Sequence, residues 1–445
     1  MTRDEVFALI EEHQYIKSRD VLIRMNAVDI ALTLSEAEQH QLLIMFRILP
    51  KDIAAQVFPH LAADLQQYII ESTPEREIES ILNDLFFDDA IDFIEEMPAN
   101  VAKKILANTS EEKRKLINKF LNYPDDSAGS LMTIEYVDLV EEMTVAQAMQ
   151  RVRDTGVDKE TVDTCYVLNN TRILVGHITI RKLILSDPFD LIKDIMMTDA
   201  HAVKTNDDQE DVAALFKVYD YFVMPVVDSE NRLVGIITVD DIIDVIEQEN
   251  TEDFQKMAAM SPSEEAYLET NALTLAKHRI PWLLVLMISA TFTGAIIKRY
   301  EAALQSVVIL AAFIPMIMDT GGNAGSQSST LVIRGLALDQ IELKDAFKVF
   351  WKEVQVGAIA GLLLAVVNFL RLSLFESNGF RVSITVSVTL FFTVVLAKIV
   401  GGVLPLVAKK LRLDPAIMAG PLITTIVDAV ALFIYFATAT YALGI

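Results

Sequence analysis

The sequence of 445 residues has few of the groups that commonly define soluble enzymes. Its one cysteine, Cys165, excludes an intramolecular disulfide and a zinc site built on several cysteines. Basic residues are scarce, since 38 Lys and Arg stand against 62 Asp and Glu, for a net charge of −24. Because binding to phosphate backbones needs clustered Lys and Arg, this charge excludes nucleic acid as a partner. Six histidines without a close-spaced ligand pair, and no nucleophile elbow or P-loop, indicate that the protein is not an enzyme.

The chain has instead long apolar segments, concentrated toward its C-terminus. From residue 276 onward it carries 14 basic and 9 acidic residues, whereas the first 275 residues carry 24 and 53. Five segments in the later part hold at most one charged residue each, and each is long enough to span a bilayer. These segments are residues 280–297, 302–333, 354–370, 382–408 and 415–445. The sequence therefore predicts five transmembrane helices, the second and fifth tilted or broken; buried helices of a large soluble domain are the alternative.

The basic residues that flank these segments predict an orientation. Nine Lys and Arg flank the ends on the side of the N-terminal part, and four flank the other ends. Positive charge favours the cytosolic side, and the first residues, MTRDEVFALIEEHQ, do not form a cleavable signal. We expect a multi-pass protein in the lipid of an inner or plasma membrane, with a cytoplasmic N-terminus and the C-terminus outside.

Asp428 lies in the middle of the fifth apolar segment. An ionised carboxylate costs a few kcal/mol or more at that depth, so it usually faces a bundle interior or an ion path. Thr424, Pro421 and Gly420 share its helix face, and Pro421 could leave carbonyl oxygens free nearby. Carboxylate and carbonyl oxygens suit Mg²⁺ or another hydrated divalent cation. The alternative is a protonated Asp428 bonded to a neighbouring helix.

The second apolar segment contains a glycine-rich polar stretch after Asp319. Such a stretch is tolerated at membrane depth only where it is buried in protein or lines water. It is not a phosphate-binding loop, because the Gly-Lys-Ser/Thr that ends such loops is missing. Small residues also permit close helix packing. We assign Gly321, Gly322 and Asn323 both to helix packing and to the ion path.

The acidic part divides into a helical region and an internal repeat. Residues 1–125 contain short apolar clusters separated by prolines, which predicts an all-α domain. Further on, SLMT at 130–133 resembles IMMT at 195–198, and YVLNNTRILVG at 166–176 resembles PVVDSENRLVG at 225–235. Each copy predicts strands followed by a helix, and the pair resembles a tandem of cystathionine-β-synthase (CBS) domains.

CBS pairs often bind adenine nucleotides, so the resemblance implies a possible nucleotide ligand such as ATP. The two copies differ where a ribose-binding acid is expected. The second copy has Asp241 after Thr238, whereas the first has Lys182 after Thr179. At most one nucleotide site, at Thr238 and Asp241, is therefore expected.

Two runs of acidic residues lie in this part, one at 88–96 and one at 240–253. Like charges so close together repel one another and need solvent, counterions or a divalent metal. An acidic run is ordinarily a solvated face. The second run directly precedes the link to the first apolar segment, and this position makes it a candidate regulatory metal site.

Four motifs together resemble the MgtE family of magnesium channels. They are YPDDSAGSLMT (123–133), TVDDIIDVI (238–246), TGGNAGSQ (320–327) and GPLITTIVD (420–428). The resemblance covers essentially the whole chain and implies a multidomain membrane protein. Its expected parts are an all-α cytosolic N domain (1–125), two CBS domains forming an α/β module (126–187 and 188–246), a connecting helix (247–278) and a five-helix transmembrane pore domain (279–445).

The resemblance also implies a homodimer with a pore between the two membrane domains. Asp428 from both subunits would hold hydrated Mg²⁺, with Thr424 one turn earlier able to alter selectivity against Co²⁺ or other divalents. Asp319 would add an acid at the pore edge. Cytosolic Mg²⁺ would close the pore by neutralising sensor carboxylates that map onto Asp89, Asp92, Asp241, Asp244, Glu249, Glu252 and Asp253.

Two other functions remain open from the sequence. A Na⁺-coupled exchanger of Mg²⁺ or another divalent cation is compatible with a Na⁺ site near Asp319. A membrane-anchored enzyme or nucleotide sensor has little support, because the residues that would carry its chemistry are missing.

Overall fold

The structure is a computed structural model that describes residues 3–74, 78, 81, 85–107, 109–263, 267, 268, 270–301, 305, 307–375 and 379–443. The chain forms two compact units, residues 1–246 and residues 247–445. Each unit is built around its own set of apolar side chains.

The first unit begins with short helices, as the proline spacing predicts. They are α1 (Arg3–Glu11), α2 (Tyr15–Leu22), α3 (Ala27–Ser35), α4 (Gln39–Ile48), α5 (Lys51–Val57), α6 (Ala63–Ser72), α7 (Phe87–Glu96), α8 (Ala99–Ala107) and α9 (Glu111–Phe120). Apolar residues at helical spacing converge on one core, in which the Phe58 ring meets Phe93 edge-on at a centroid distance of 4.9 Å.

The repeat follows as two copies of one α/β arrangement. The first copy contains α10 (Ala128–Leu131), β1 (Asp138–Val140), α11 (Val145–Thr155), β2 (Thr164–Leu168), β3 (Leu174–Thr179) and α12 (Ile180–Leu185). The second contains α13 (Ile192–Ile195), β4 (Val203–Lys204), α14 (Gln209–Tyr219), β5 (Val223–Val227), β6 (Leu233–Thr238) and the start of α15 (Val239–Met257).

Both copies have the same sheet topology. Strand β2 lies between β1, to which it is parallel, and β3, to which it is antiparallel, with Tyr166 opposite His177. Strand β5 is placed in the same way between β4 and β6, with Pro225 opposite Ile236. The apolar core of the helical region continues into the second copy through residues such as Phe216. The helical N domain therefore packs on the second repeat.

In the described part of the second unit, five helices are long and apolar enough to cross a membrane. They are α16 (Ala272–Arg299), α17 (Ile314–Ala337), α18 (Ala346–Phe375), α19 (Phe380–Lys410) and α20 (Gly420–Leu443). A 3-10 turn, Val308–Phe313, runs directly into α17, and together they form the second candidate span. Helix α19 packs against α17, α18 and α20. The N domain, the α/β module and these five helices confirm the predicted fold class.

The connecting helix expected over residues 247–278 is not continuous. Helix α15 ends at Met257 and α16 begins at Ala272. Between them Gln255 exchanges two hydrogen bonds with Ser263, and the Asn271 side chain caps α16 by accepting from two backbone amides. The chain therefore turns between the two helices.

Candidate ion sites

Helix α17 carries a polar stripe on a face that one chain leaves exposed. Asp319, Asn323 and Gln327 follow one another at four-residue intervals, so they lie on one side of the helix, and all three are exposed. Because α17 has the length and composition of a membrane span, lipid cannot satisfy these polar groups. The stripe must face water or another polar surface.

The glycines of α17 lie where neighbouring helices approach closely. A Cβ added at Gly321 would be 2.9 Å from Cγ2 of Thr393, and one at Gly322 would be 2.8 Å from Cγ2 of Thr424. Both glycines are buried, and their small size permits this contact with α19 and α20. Of the three residues assigned to packing and ion path, the two glycines pack and Asn323 lies on the stripe.

Asp428 lies two turns into α20 and is half-buried. Its Oδ1 atom is buried and has no hydrogen-bond partner among the described residues. The carboxylate of Asp319 on α17 acts on it electrostatically. The structure therefore brings together the two acids predicted in the apolar segments, and it leaves a carboxylate oxygen able to accept from a hydrated cation.

Pro421 starts α20 and does not break a helix. It is the second residue of the helix, where its missing amide has no intrahelical acceptor to lose. The hydroxyl groups of Thr424 and Thr425 donate to the carbonyl oxygens of Gly420 and Pro421, at 2.9 Å in each case. The expectation that Pro421 leaves free carbonyl oxygens beside Asp428 is therefore wrong.

The end of α15 is tied to the segment that precedes α20. The Lys256 ammonium lies 2.6 Å from Oε1 of Glu252 and 2.7 Å from Oδ2 of Asp414. The other oxygen of Asp414 accepts from the Ala416 amide at 2.8 Å, which caps a 3-10 turn. Asp414 thus joins α15 to the turn that leads into α20.

A close backbone approach strengthens this connection. Gly420 has a φ of +27°, and a Cβ there would lie 3.0 Å from the carbonyl oxygen of Met257. Burial raises the pKa of Asp253, and the nearby Asp414 raises it further. The expected metal ligands Glu252 and Asp253 therefore share their surroundings with Asp414 and Lys256.

A separate cluster of acids lies within the first unit. Oxygen atoms of Asp88, Glu135 and Glu160 lie within 4.8 Å of one another. Asp88 is in the first turn of α7, and Glu135 accepts from the Phe87 amide at 3.1 Å. The Glu160 amide donates to the backbone oxygen of Glu135 at 2.9 Å, which holds the two glutamates side by side.

Burial changes the protonation of this cluster. It raises the pKa of Asp88, which is 8% exposed, to about 9, and the neighbouring Asp241 and Glu160 act in the same direction. Burial likewise raises the pKa of Glu160 to about 8, and the pKa values of Asp89 and Asp241 to about 6. One oxygen of Glu160 is buried without a hydrogen-bond partner among the described residues. Such a cluster holds protons or a divalent cation with oxygen ligands.

The structure divides the residues that the sequence assigns to sensing. Asp89 and Asp241 belong to the buried cluster, whereas Asp92 and Asp244 are exposed on α7 and α15. Glu249, Glu252 and Asp253 lie on the part of α15 that belongs to the second unit.

Sequence reasoning missed Asp88, Glu135 and Glu160 as site residues. Asp88 stands beside the predicted Asp89, so its place in the acidic run was the available signal. Glu135 and Glu160 are isolated acids 25 positions apart, and only the fold brings them together.

Asp241 and Thr238, the expected nucleotide ligands, bond to each other. The Thr238 hydroxyl donates to Oδ2 of Asp241 at 2.6 Å, and Asp241 acts on the acids of the buried cluster. A ribose at this position would have to replace that hydrogen bond.

Comparisons with known proteins agree with both units. Residues 314–438 match the MgtE family, described as divalent cation transporters, and residues 25–126 match the MgtE intracellular N domain. Residues 192–248 match the CBS domain. A crystal structure of the cytosolic domain of the Mg²⁺ channel MgtE in complex with ATP superposes with a TM-score of 0.53 and 33% identity, covering 55% of this chain and 100% of that one.

Two full-length relatives extend the match. The magnesium transporter MgtE of Bacillus subtilis is 32% identical over 448 residues, which cover 99% of this chain and 98% of the relative. The magnesium transporter MgtE of Thermus thermophilus is 35% identical over 426 residues, 95% of this chain and 94% of the relative. With its N domain, its CBS module and its five apolar helices, the chain belongs to the MgtE family of magnesium transporters.

Proposed function

We propose that the protein is a homodimeric Mg²⁺ channel for magnesium uptake that cytosolic Mg²⁺ closes. This proposal rests on the buried Asp428 Oδ1, which has no hydrogen-bond partner among the described residues, and on the polar stripe of Asp319, Asn323 and Gln327 on the helix α17 that packs against α20. Oxygen ligands that leave a hydrated ion most of its water suit Mg²⁺, which loses its water reluctantly. Thr424 lies one turn before Asp428 and tunes selectivity among divalent cations.

A second copy of the chain gives the polar stripe a partner other than lipid. The stripe is exposed in one chain although α17 has the properties of a membrane span, and pairing two stripes encloses a polar path. The homodimer therefore has its path between the membrane domains, with the N-terminus in the cytosol and the C-terminus outside. The domain boundaries are those expected above: 1–125, 126–187, 188–246, 247–278 and 279–445.

Gating follows from the two groups of acids. In the first unit, Mg²⁺ replaces protons on Asp88, Glu135 and Glu160 and draws the N domain toward the CBS module. In the second unit, the end of α15 is held to Asp414 and approaches Gly420, at the start of the helix that carries Asp428. The ion must bind one state better than the other for this to work, and the closed state does so because it brings the three acids together around one ion.

An adenine nucleotide at the CBS module is a further part of this proposal. The Tyr166 hydroxyl and Nδ1 of His177, side chains on paired strands, are buried without partners among the described residues. A relative of known structure is complexed with ATP. These two atoms are available for hydrogen bonds with polar groups of such a ligand.

The alternative function is a Na⁺-coupled exchanger of Mg²⁺, and Asp319 is the observation that favours it. This acid acts on Asp428 and could share a second cation with it. The two functions differ in whether Mg²⁺ moves without Na⁺.

The deciding experiment is current through the purified protein in a planar bilayer, with a Mg²⁺ gradient, no Na⁺, and Mg²⁺ titrated on the cytosolic side. We expect current that falls as cytosolic Mg²⁺ rises and that Asp428→Asn abolishes. The triple variant Asp88→Asn, Glu135→Gln, Glu160→Gln should conduct with a weaker dependence on Mg²⁺. Thr438→Val, which removes a hydroxyl bonded within α20, serves as the control. Flux that appears only with a Na⁺ gradient would establish the exchanger instead.

A further inference from the structure

Lys398 is a basic residue deep within a membrane span. It is 7% exposed and lies on α19, twelve residues before Lys410 at the end of the helix. At 1.5 Å per residue this is about 18 Å along the helix axis. An ammonium group at such a depth is rare and is retained where it has partners and a role.

Among the described residues, the Lys398 ammonium has three oxygen neighbours, all on α17. Its Nζ lies 3.4 Å from the backbone oxygen of Ala324, from Oε1 of Gln327 and from Oγ of Ser328. These match the three protons that a lysine can donate. The Ser328 hydroxyl donates in turn to Oε2 of Glu353 on α18 at 2.6 Å. The Ser328 hydroxyl therefore links the positive charge of Lys398 to the negative charge of Glu353.

The helix backbones leave these side chains little freedom. A Cβ at Gly401, one turn after Lys398, would lie 2.2 Å from the backbone oxygen of Gly325 on α17. A Cβ at Gly402 would lie 2.6 Å from Cγ of Glu353. Helices α17, α18 and α19 are therefore in close contact at the level of the Lys398 interactions.

We propose that Lys398 is a positioning residue for ion selectivity. Gln327 lies on the exposed stripe with Asp319 and Asn323, so the ammonium reaches the edge of the ion path through this amide. With Glu353 on the opposite side of Ser328, Lys398 fixes the rotation of α17 about its axis. Lys398 thereby sets the position of the polar stripe relative to Asp428. The inference rests on the proposed ion path.

The test measures the permeability ratio of Mg²⁺ to Na⁺ from reversal potentials of the full-length protein in a bilayer. Lys398→Met alone would leave the negative charge of Glu353 without its positive partner. The test therefore uses the double variant Lys398→Met, Glu353→Gln, which removes both charges. Gln327→Leu removes the contact without changing any charge. We expect the double variant and Gln327→Leu each to lower the Mg²⁺ to Na⁺ permeability ratio by about tenfold, the effect of losing a hydrogen bond to a charged group. Lys398→Arg should restore part of it.

The matched control is Lys410→Met, at the exposed end of the same helix, which should keep the wild-type ratio. A purely structural Lys398 would change the folded yield and the unfolding temperature but leave the ratio of the surviving channels unchanged. A wild-type ratio in both the double variant and Gln327→Leu overturns the proposal. Absence of any Mg²⁺ current in the unmodified protein would instead overturn the channel itself.

Discussion

At the scale of single residues, Asp88 has the environment that most favours a bound proton or cation. The charges that act on it belong to Asp241, Glu160 and Asp89, which are all acids. The sequence identifies the acidic run but not which member is buried, because burial depends on how α7 packs against the second repeat. Asp88 consequently differs from Asp92, one turn later and exposed.

The raised pKa values predict a pH-dependent stability. With a pKa of about 9 for Asp88 and about 8 for Glu160, against ordinary values of 3.8 and 4.5, the folded protein keeps protons that the unfolded chain loses. Its free energy of unfolding in EDTA should therefore fall as pH rises from 5 to 8. Mg²⁺ should restore stability, and more at pH 8 than at pH 6, because it binds the ionised acids.

Thermal unfolding of the purified full-length protein measures this effect. Asp88→Asn should flatten the dependence of the unfolding temperature on pH and reduce the increase in unfolding temperature that Mg²⁺ causes. Glu112→Gln, which alters an exposed acid on α9, should keep the wild-type slope. An identical slope in Asp88→Asn would show that the cluster does not hold its protons as described.

At the scale of helices, the crossing of α17 and α19 is a backbone contact. Composition and hydropathy predict five membrane-length helices, since long apolar segments are a strong signal. They do not predict which glycines meet, because that depends on helix rotation. The signals that interrupt the connecting helix are local ones, Pro262 and the capping residue Asn271. Likewise Pro421, at the second position of α20, is a local signal of a helix start.

Gly401→Ala should destabilise the membrane unit. The added Cβ would lie 2.2 Å from a backbone oxygen, so the two helices must separate. Overpacking of this kind costs about 1–3 kcal/mol. The expected result is a lower unfolding temperature in detergent and reduced Mg²⁺ uptake in a magnesium-dependent growth assay.

Gly294→Ala is the matched control, since no described residue lies within 4 Å of a Cβ at that position of α16. It should leave both measurements unchanged or slightly raise the stability of the helix. If the two alanine variants behave alike, the close contact at Gly401 does not hold the helices together.

At the scale of the molecule, the second repeat exposes a group of apolar side chains. The Phe222 backbone oxygen accepts from the Val239 amide at 2.9 Å, and Ile243 lies one turn after Val239 on α15. Phe222 is 72% exposed, Ile243 58% and Val218 71%. Neighbouring exposed apolar residues are typical of a protein interface. In the proposed homodimer we expect these residues to form a contact between CBS modules.

The double variant Phe222→Asp, Ile243→Asp should weaken that dimer, because burying an unpaired carboxylate at an interface is unfavourable. Sedimentation of the full-length protein in detergent would show a larger fraction of single chains at low concentration. Leu268→Asp, at an exposed residue between α15 and α16, should sediment like the wild type. A dimer unaffected by the double variant would rest on the membrane helices alone.

The polar stripe of α17 has a consequence for the biogenesis of the proposed dimer. A newly inserted chain without its partner would turn the Asp319 carboxylate toward acyl chains, which costs about 2.5–3.5 kcal/mol for an acid at the centre of a span. Pairing in the proposed dimer would remove that cost, so exposure of Asp319 to lipid would favour two chains over one during biogenesis.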